Sequence, residues 1–200
     1  MVSQTNEQAL EASIEKALSG ISREALVQQV GSCDVAQLQQ SAQYLTDTGN
    51  GYQLGWSSDY DREFAVDTSK FWEFLKTTQP EELAKLKDQP NWQRLVLEHL
   101  NKRIKKYGIL KLLKTGLSIN DAHFTLLYSA PYNDINPGLA ANFERNVFSV
   151  TRQLYYSQAE PNLSIDMVLF INGLPISTLE LKNAWTGQTT YHAKKQYCED

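Results

Sequence analysis

The sequence is poor in the residues that form covalent crosslinks and zinc sites. Its 200 residues include two cysteines, Cys33 and Cys198, and three histidines, His99, His123 and His192. Two distant cysteines do not build a disulfide framework, and isolated histidines match no zinc-binding spacing. A metal ion in this protein would therefore be held by oxygen ligands.

The sequence also lacks a long apolar run and a secretory signal. No stretch approaches the roughly 18 apolar residues that cross a membrane. The N-terminus, MVSQTNEQALEASIEKAL, is polar and acidic, whereas a secretory signal begins with basic residues and continues into an apolar segment. These absences predict a cytoplasmic protein.

A strong excess of positive charge is absent as well. The formal net charge is −4, which argues against nucleic-acid binding through bulk charge. One segment, 102–114, differs, because it contains six basic residues and no acidic one. It is equally compatible with a solvated helix face and with a surface that contacts phosphates. The six residues are Lys102, Arg103, Lys105, Lys106, Lys111 and Lys114.

Hydrophobic periodicity divides the chain into a mainly helical part, 1–115, and a sheet part, 116–200. Helical spacing predicts helices over 5–18, 23–30, 35–44, 69–75 and 80–113, the last divided by Pro90 and ended by Gly116. Segments rich in β-branched and aromatic residues predict strands within 123–130, 147–157, 164–171 and 177–183, followed by a helix over 189–200. The Gly- and Asn-rich segment 47–61 predicts a loop or a short exposed hairpin. The fold class is therefore α/β, with a mixed central sheet flanked by helices in a single domain, 1–200.

The last two predicted strands form a hairpin around Asn172-Gly173, a strong turn signal between apolar runs. A two-residue loop would place Asp166 on the face of the hairpin opposite Glu180, because strand side chains alternate. Pro175 removes a ladder donor next to the turn and favours an irregular connection. We therefore predict a loop of three residues or a bulge, which brings Asp166 beside Glu180.

The charged residues of this hairpin, Asp166, Glu180 and Lys182, form a candidate catalytic site. The carboxylates of Asp166 and Glu180 repel each other unless they share a cation or a proton. Mg²⁺ prefers about six oxygen ligands, and the Leu181 carbonyl is the nearest candidate for a third protein ligand. Lys182 would orient an attacking water or stabilise added charge, which predicts phosphodiester hydrolysis. The alternative is a solvated strand face with a surface ion pair worth less than about 1 kcal/mol.

The segment 166–182 has the form D-x13-E-L-K and resembles the nuclease motif of the PD-(D/E)XK superfamily. The strings SIDMVLFINGLP, LELKN, TGQT and A-x-x-QY are similar to the N-terminal nuclease domain of the R subunit of type I restriction-modification enzymes. The pattern N-x-x-x-V-x-RQ and the segment GILKLLKTG are similar to the same family. The N-x-x-x-V-x-RQ pattern comprises Asn146, Val150, Arg152 and Gln153.

This resemblance implies a Mg²⁺-dependent endonuclease module, with Mn²⁺ as a substitute ion, that cuts double-stranded DNA. It implies that Asp166 and Glu180 bind the metal and that Lys182 is the catalytic lysine. The family's acidic residue on the first helix corresponds to Glu11, with Glu15 one turn later as the alternative. A catalytically silent module that binds DNA or docks partner subunits is the second hypothesis.

The resemblance also implies how DNA and partner subunits are engaged. Gln196 and Tyr197 match residues that position DNA, although the Gln-x-x-x-Tyr form of that element would require a tyrosine where this chain has Asp200. Lys102, Arg103, Lys105 and Lys106 would contact the phosphate backbone, while methyltransferase (M) and specificity (S) subunits supply sequence recognition. ATP would act only through a motor region, because no P-loop sequence G-x-x-x-x-G-K-[ST] occurs in the chain. We therefore expect a fragment of a longer subunit.

Two further groups of residues have structural explanations. Asp59 and Asp61 occur in a turn-rich segment, where aspartates more often form turns and caps than metal sites. Trp72 and Trp92 occur at helical spacing and are more typical of a core than of a base-stacking surface.

Overall fold

The computed structural model describes residues 2–42, 51–132 and 136–181, with side chains from residue 7 onward. The helices of these segments are α1 Val2–Ser19, α2 Arg23–Val30, α3 Val35–Ala42, α4 Thr68–Thr78, α5 Pro80–Ala84, α6 Trp92–Tyr107, α7 Ile109–Thr115 and α8 Pro137–Glu144. The strands are β1 Tyr52–Leu54, β2 Tyr60–Asp61, β3 Val66–Asp67, β4 Leu117–Ile119, β5 Ala122–Phe124, β6 Phe148–Tyr155, β7 Ser164–Ile171 and β8 Leu174–Leu179. A short 3₁₀ helix covers Ser57–Asp59.

The central sheet has four strands in the order β1-β6-β7-β8. It is a mixed sheet flanked by helices and preceded by a helical N-terminal region, which confirms the predicted fold class. Its edge strand β1 lies within the segment that we predicted as a loop or a short hairpin, so the sheet draws on the chain before residue 116. Two small antiparallel sheets, β2-β3 and β4-β5, are separate from it.

The chain divides into two compact units. The first unit comprises Met1–Ser58, Ser149–Leu169 and Ser177–Asp200, and the second comprises Asp59–Phe148 and Phe170–Ile176. The first unit contains the first three helices and most of β6 and β7, whereas the second contains α4 to α8.

The first unit has a small apolar cluster under its N-terminal helices. Leu26 of α2 is fully buried among Leu38, Ala42, Leu54 and Trp56. The Ser22 side chain caps the start of α2 by accepting a hydrogen bond from the Ala25 N–H at 3.3 Å, and Gly31 ends the helix at φ 70°. Serine is a preferred N-cap residue and glycine readily adopts the left-handed conformation after a helix, so Ser22 and Gly31 explain where this helix begins and ends.

The second unit has a larger aromatic and aliphatic core. Phe71, Phe74 and Leu75 on one face of α4 are at most 1% exposed, and burying each such side chain stabilises the fold by about 1.5–3 kcal/mol. The rings of Trp72 and Trp92 meet edge to face at 5.3 Å between centroids. Both tryptophans pack in this core, which confirms their structural interpretation.

The hairpin β7-β8 turns through two residues, Asn172 and Gly173, with φ of 51° and 79°. The predicted three-residue loop is therefore wrong. Positive φ at both positions is what a tight type I′ hairpin turn requires, and Asn-Gly meets this requirement at little cost. Pro175 is accommodated inside β8 and does not force an irregular turn.

The turn is buried in the second unit instead of projecting into solvent. The Asn172 side chain accepts from the Val147 N–H at 2.6 Å and donates to the Leu126 carbonyl at 2.9 Å and to Asn146 Oδ1 at 3.0 Å. The Asp67 N–H donates to the Gly173 carbonyl at 2.9 Å. Asn172 therefore satisfies neighbouring backbone groups in addition to supplying the turn conformation.

Two elements of the structure differ from the sequence prediction, each for an identifiable reason. The strand predicted over 123–130 ends at Phe124, because side-chain amides replace a neighbouring strand as hydrogen-bond partners. The Gln79 side chain accepts a hydrogen bond from the Thr125 N–H at 2.6 Å and donates one to the Thr125 carbonyl at 2.9 Å. The Asn146 side chain accepts from the Tyr128 N–H at 3.0 Å and donates to the Tyr128 carbonyl at 2.8 Å.

Helix α8 begins in a segment whose composition predicts a turn. Asn136 caps it by accepting from the Gly138 N–H at 3.0 Å, with Pro137 in the first turn. Asparagine before proline is a helix-start signal, but the surrounding turn residues obscure it in the sequence. The long helical segment ends at Gly116 as predicted, with an additional break at Gly108. The predicted helix 189–200 lies outside the described residues.

Candidate nuclease site in the first unit

A buried arginine ties the strand β6 to the first two helices. Arg152 donates from Nε to Glu11 Oε2 at 2.9 Å and from Nη1 to Glu15 Oε2 at 3.2 Å and Glu24 Oε1 at 2.8 Å. Arg152 is 6% exposed, Glu11 2% and Glu15 0%. Such charges are tolerated inside a protein only when they are paired and hydrogen-bonded, and here each is.

A second arginine completes this network. Arg23 Nε lies 3.2 Å from Glu15 Oε1, and its guanidinium donates to the Gly55 carbonyl. The guanidinium also lies over the Trp56 ring, 5.0 Å from its centroid. Trp56 therefore shields the ion pair on its apolar side while the backbone carbonyl takes a second donor.

Burial and pairing act on these charges in opposite directions. Burial raises the pKa of Glu15, although Arg23 and Arg152 oppose the rise. Burial lowers the pKa of Arg23, with Glu15 acting against it. For Arg152, burial alone would lower the pKa, but hydrogen bonds to Glu24 and Glu11 raise it above the usual range. Arg152 is therefore permanently charged and holds the helix carboxylates in place.

Gln153, the next residue, connects the first helix to β7. Its amide nitrogen donates to Glu11 Oε1 at 2.8 Å and lies 3.4 Å from Asp166 Oδ1. Its amide oxygen accepts from the Ser164 hydroxyl at 3.1 Å. The sequence-predicted residues Glu11 and Asp166 are thus held on either side of one side chain.

Asp166 also reaches the segment that follows β8. Its Oδ2 accepts a hydrogen bond from the Leu181 N–H at 2.6 Å. A short bond from an N–H to a carboxylate is of the charge-assisted kind and fixes the Asp166 side chain against the chain at Glu180-Leu181. The structure therefore brings the Asp166 carboxylate to the backbone of Leu181 despite the two-residue turn.

Side-chain parity across a two-residue turn applies only to strands that remain paired as far as residue 180. β8 ends at Leu179, so strict side-chain alternation does not govern Glu180 and Leu181. Both residues are described and are partly buried. Lys182, Gln196 and Tyr197 lie outside the described residues.

The groups that contact the Asp166 carboxylate are N–H donors of Gln153 and Leu181. Mg²⁺ prefers carboxylate and carbonyl oxygens and retains waters, so only the oxygens of Asp166, of Glu180 and of the backbone carbonyls are candidate ligands. The longer contact to Gln153 leaves Asp166 Oδ1 the more easily released of the two oxygens. Within the described ranges, however, no group of three or more acidic, histidine or cysteine residues is arranged to hold a metal ion. A site here would thus depend on backbone carbonyls and waters besides two carboxylates.

The six basic residues of 102–114, called the basic patch from here on, lie on α6 and α7 in the second unit. All except the partly buried Arg103 are exposed. Arg103, Lys106 and Lys111 each lie 5.0 Å from the centroid of the Tyr107 ring. A hydrogen bond from Lys106 lowers the pKa of Tyr107, and the charges of Lys106 and Arg103 add to this effect.

A depression of about 280 Å³ opens beside this ring. Arg103, Tyr107 and Lys111 line it together with the end of α7. Positive groups that converge on an open depression attract an anionic group such as a phosphate. This geometry favours the phosphate-contacting interpretation over a uniformly solvated helix face.

The remaining candidates have structural roles. Asp61 Oδ1 accepts from the N–H groups of Glu63 and Phe64 at 2.8 and 3.1 Å, as expected of a turn former. His123 Nδ1 lies 2.9 Å from the Ser118 hydroxyl between two short strands. His192 lies outside the described residues.

Sequence reasoning did not anticipate Arg152 and Gln153 as neighbours of the acidic residues. The only signal was their place in the N-x-x-x-V-x-RQ pattern. Asn146 of the same pattern holds Tyr128 and the hairpin turn, and Val150 is fully buried. All four residues of that pattern are therefore explained by contacts.

A family model described as the type I restriction enzyme R protein N terminus (HSDR_N) matches residues 51–200. No curated protein and no solved structure matches the chain. The match covers Asp166, Glu180 and the basic patch, whereas Glu11 precedes it. No helix in the described part of the chain is long and apolar enough to span a membrane.

Proposed function

Because the chain belongs to the family of type I restriction enzyme R protein N termini, we propose that it is a Mg²⁺-dependent endonuclease module that hydrolyses phosphodiester bonds of double-stranded DNA. One observation carries the proposal. Glu11, Gln153, Asp166 and the Leu181 backbone form a continuous chain of contacts in the first unit. Mn²⁺ would substitute for Mg²⁺, since it accepts the same oxygen ligands.

Asp166 and Glu180 would hold the ion together with the Leu181 carbonyl. The Leu181 N–H already positions Asp166 Oδ2, so Oδ1 is the oxygen directed to the ion. A bound Mg²⁺ would activate a water and offset charge on the phosphoryl oxygen. Lys182 would hold the attacking water and stabilise negative charge as the phosphorus is attacked.

Glu11 supports this site from the first helix. The contact through Gln153 favours Glu11 over Glu15 in this role, because Glu15 is engaged by Arg23 and Arg152. Glu11 would accept a hydrogen bond from an ion-bound water. Its burial and its bond to Arg152 keep its carboxylate oriented.

The basic patch would contact the phosphate backbone without reading sequence. Lys102, Lys105 and Lys106 are exposed on α6, and Arg103 lines the depression beside Tyr107. Such contacts supply affinity that falls with salt, while sequence recognition would come from the specificity subunit. Gln196 and Tyr197 would position the DNA near the scissile bond.

The module would operate in a complex with methyltransferase and specificity subunits. ATP would be used by a motor region that this sequence does not contain, since no P-loop pattern occurs in it. Cleavage by the isolated chain is therefore expected to be slower than cleavage by a complex that delivers DNA to it.

A catalytically silent module that binds DNA or docks partner subunits is the second candidate. It is favoured by the two N–H donors already present on the oxygens of Asp166. The described residues also include no cluster of three metal-binding side chains. Under this alternative, DNA binding would not require a divalent ion.

Cleavage and binding of double-stranded DNA separate these candidates when measured together. Supercoiled plasmid is incubated with the parent chain, Asp166→Asn and Lys182→Ala in Mg²⁺ or Mn²⁺, with Asp61→Asn as a control in an unrelated turn. The nuclease proposal predicts cleavage by the parent and by Asp61→Asn only, with DNA binding retained in all four proteins. Equal cleavage by Asp166→Asn would refute it, and ion-independent binding without cleavage would favour the silent module.

A further inference from the structure

Gln153 contacts two carboxylates that the proposed function uses. Its Nε2 lies 2.8 Å from Glu11 Oε1 and 3.4 Å from Asp166 Oδ1. Its Oε1 accepts from the Ser164 hydroxyl at 3.1 Å. A carboxylate can only accept hydrogen bonds and a hydroxyl can donate one, so these partners fix the orientation of the amide group.

The backbone at Gln153 is unusual for its position. Its φ is 49°, and of the described residues it is the only one within a strand that has a positive φ. That conformation is destabilising for a residue with a side chain, and such conformations concentrate at functional sites.

The conformation has a visible geometric effect. Successive residues of a regular strand point to opposite faces, yet Arg152 and Gln153 both bond the carboxylate of Glu11. The positive φ at Gln153 redirects its side chain out of the regular alternation of the strand. It lets Arg152 take one oxygen of Glu11 while Gln153 takes the other and extends to Asp166.

We propose that Gln153 is a positioning residue that sets the separation of the Glu11 and Asp166 carboxylates for a divalent cation. The inference rests on the proposed function. A neutral amide is suited to this place, because its N–H groups join two like charges without adding a charge that would compete with the ion. The tight bond to Glu11 and the longer contact to Asp166 together hold the two carboxylates at a fixed separation.

The assignment explains why the position carries glutamine instead of glycine. Glycine would adopt the positive φ without strain, but it would leave the two carboxylates unlinked. The experiment therefore tests the role of the Gln153 side chain and not that of its backbone conformation.

The test compares Gln153→Gly, Gln153→Asn and the control Gln158→Gly, which changes an exposed glutamine on the loop after β6. Mg²⁺ and Mn²⁺ are titrated into each protein by calorimetry, and folding is followed by urea unfolding. Gln153→Gly relieves the positive φ but removes a hydrogen bond to buried Glu11, so urea unfolding verifies that the variant is folded under the titration conditions. Its ion affinity is expected to fall about tenfold or more, the range found for residues that orient metal ligands.

Gln153→Asn provides a second variant that tolerates positive φ but has a shorter side chain. Its amide cannot span both carboxylates, so a similar loss of ion affinity is expected. A third readout needs no activity: the side-chain amide resonance of Gln153 should shift on Mg²⁺ titration in the parent and stay unchanged in Asp166→Ala.

Failure of the positioning role and failure of the proposed function give different results. Ion affinity within twofold of the parent in both folded Gln153 variants, with affinity lost in Asp166→Ala, would overturn the positioning role and leave the proposed function standing. Unchanged affinity in Asp166→Ala would overturn the proposed function and this inference together.

Discussion

Arg152 is the positive charge shared by three carboxylates of the first unit. It bonds Glu11, Glu15 and Glu24 from two helices. The Glu11 and Glu15 carboxylates lie almost fully out of contact with water. Removing one partner of a buried charge network leaves the others unpaired, which costs more than the network itself contributes.

Arg152→Met keeps the apolar length of the side chain and removes its charge. We expect the free energy of unfolding to fall by about 3–5 kcal/mol, because buried carboxylates lose their partner. The measurement is urea unfolding followed by circular dichroism. The matched control is Arg94→Met, whose guanidinium pairs with Glu63 and Glu98 on the surface and should cost less than about 1 kcal/mol. Equal effects of the two substitutions would contradict the buried network.

Asp67 is the buried residue with the clearest pH dependence. Its Oδ1 caps α4 by accepting from the Lys70 N–H at 3.0 Å, and its Oδ2 is buried without a hydrogen-bond partner. Burial raises the pKa of this carboxyl from 3.8 to about 6, with the nearby Asp59 adding to the rise. The folded protein therefore retains a proton at this site that the unfolded chain has released.

The sign of the pH effect follows from that difference. Between about pH 4 and pH 6 the folded state binds more protons than the unfolded state, so the free energy of unfolding falls as pH rises. The raised pKa corresponds to about 3 kcal/mol at about 1.4 kcal/mol per pKa unit. Asp67→Asn should abolish this part of the pH dependence and preserve the cap, because asparagine caps helices as well as aspartate does.

Urea unfolding of the parent and Asp67→Asn at several pH values from about 4 to about 7.5 measures this contribution. Asp34→Asn is the control for exchanging a capping carboxylate for an amide, since Asp34 caps α3 from an exposed position. The same pH profile in the parent and Asp67→Asn would contradict the assignment.

At the scale of elements, the β7-β8 turn is fixed by its neighbours as much as by its own conformation. Gly173 has φ 79°, and a Cβ added there would lie 2.4 Å from the Asp67 carbonyl oxygen and 2.6 Å from the Phe71 nitrogen. Both atoms belong to the backbone, which cannot move aside as a flexible side chain can. The start of α4 thus sets the position of the turn within the second unit.

Gly173→Ala should therefore destabilise the protein by about 2–4 kcal/mol, through the left-handed conformation and the overlap with α4. Gly31→Ala is a matched control, because its φ is 70° but no described atom lies within 4 Å of an added Cβ. It should cost only the backbone term, about 1 kcal/mol. Equal losses in urea unfolding would show that the packing against α4 is unimportant.

The basic patch gives a prediction for α6 as an element. Lys105→Ala combined with Lys106→Ala should reduce the salt dependence of DNA binding. The slope of log affinity against log salt should become less steep by about 2, because each lysine that neutralises a phosphate contributes close to one unit. Fluorescence anisotropy with a labelled duplex at several salt concentrations measures the slope.

The control for this measurement is the pair Lys76→Ala and Lys87→Ala, exposed lysines outside the patch. The slope should be unaffected in this pair. A reduction of the slope that is the same in both double variants would mean that affinity depends on net charge and not on the position of α6.

At the scale of the whole molecule, local signals predicted the elements better than they predicted their contacts. The bounds 23–30 and 164–171 agree with α2 and β7, since caps and turn residues act within a few positions. The short strand β1 was missed because three residues carry little periodicity and gain their hydrogen bonds from a partner strand that lies far along the chain.

The site was predicted in part for the same reason. Asp166 contacts the Leu181 N–H just past the early end of β8, whereas the proximity of the Asp166 and Glu180 carboxylates stays a prediction. The roles of Arg152 and Gln153 depend on a positive φ inside a strand and on helices that lie far before them in the sequence. Alternation along the sequence cannot reveal either feature.

The central claim is that Asp166 and Glu180 hold a divalent ion. Calorimetric titration of Mg²⁺ and Mn²⁺ into the parent, Asp166→Ala and Glu180→Ala tests it, with Asp61→Ala as the control and circular dichroism to verify folding. We expect the parent and the control to bind the ion and both folded site variants to lose it. Ion binding with parental affinity in both site variants would contradict the claim.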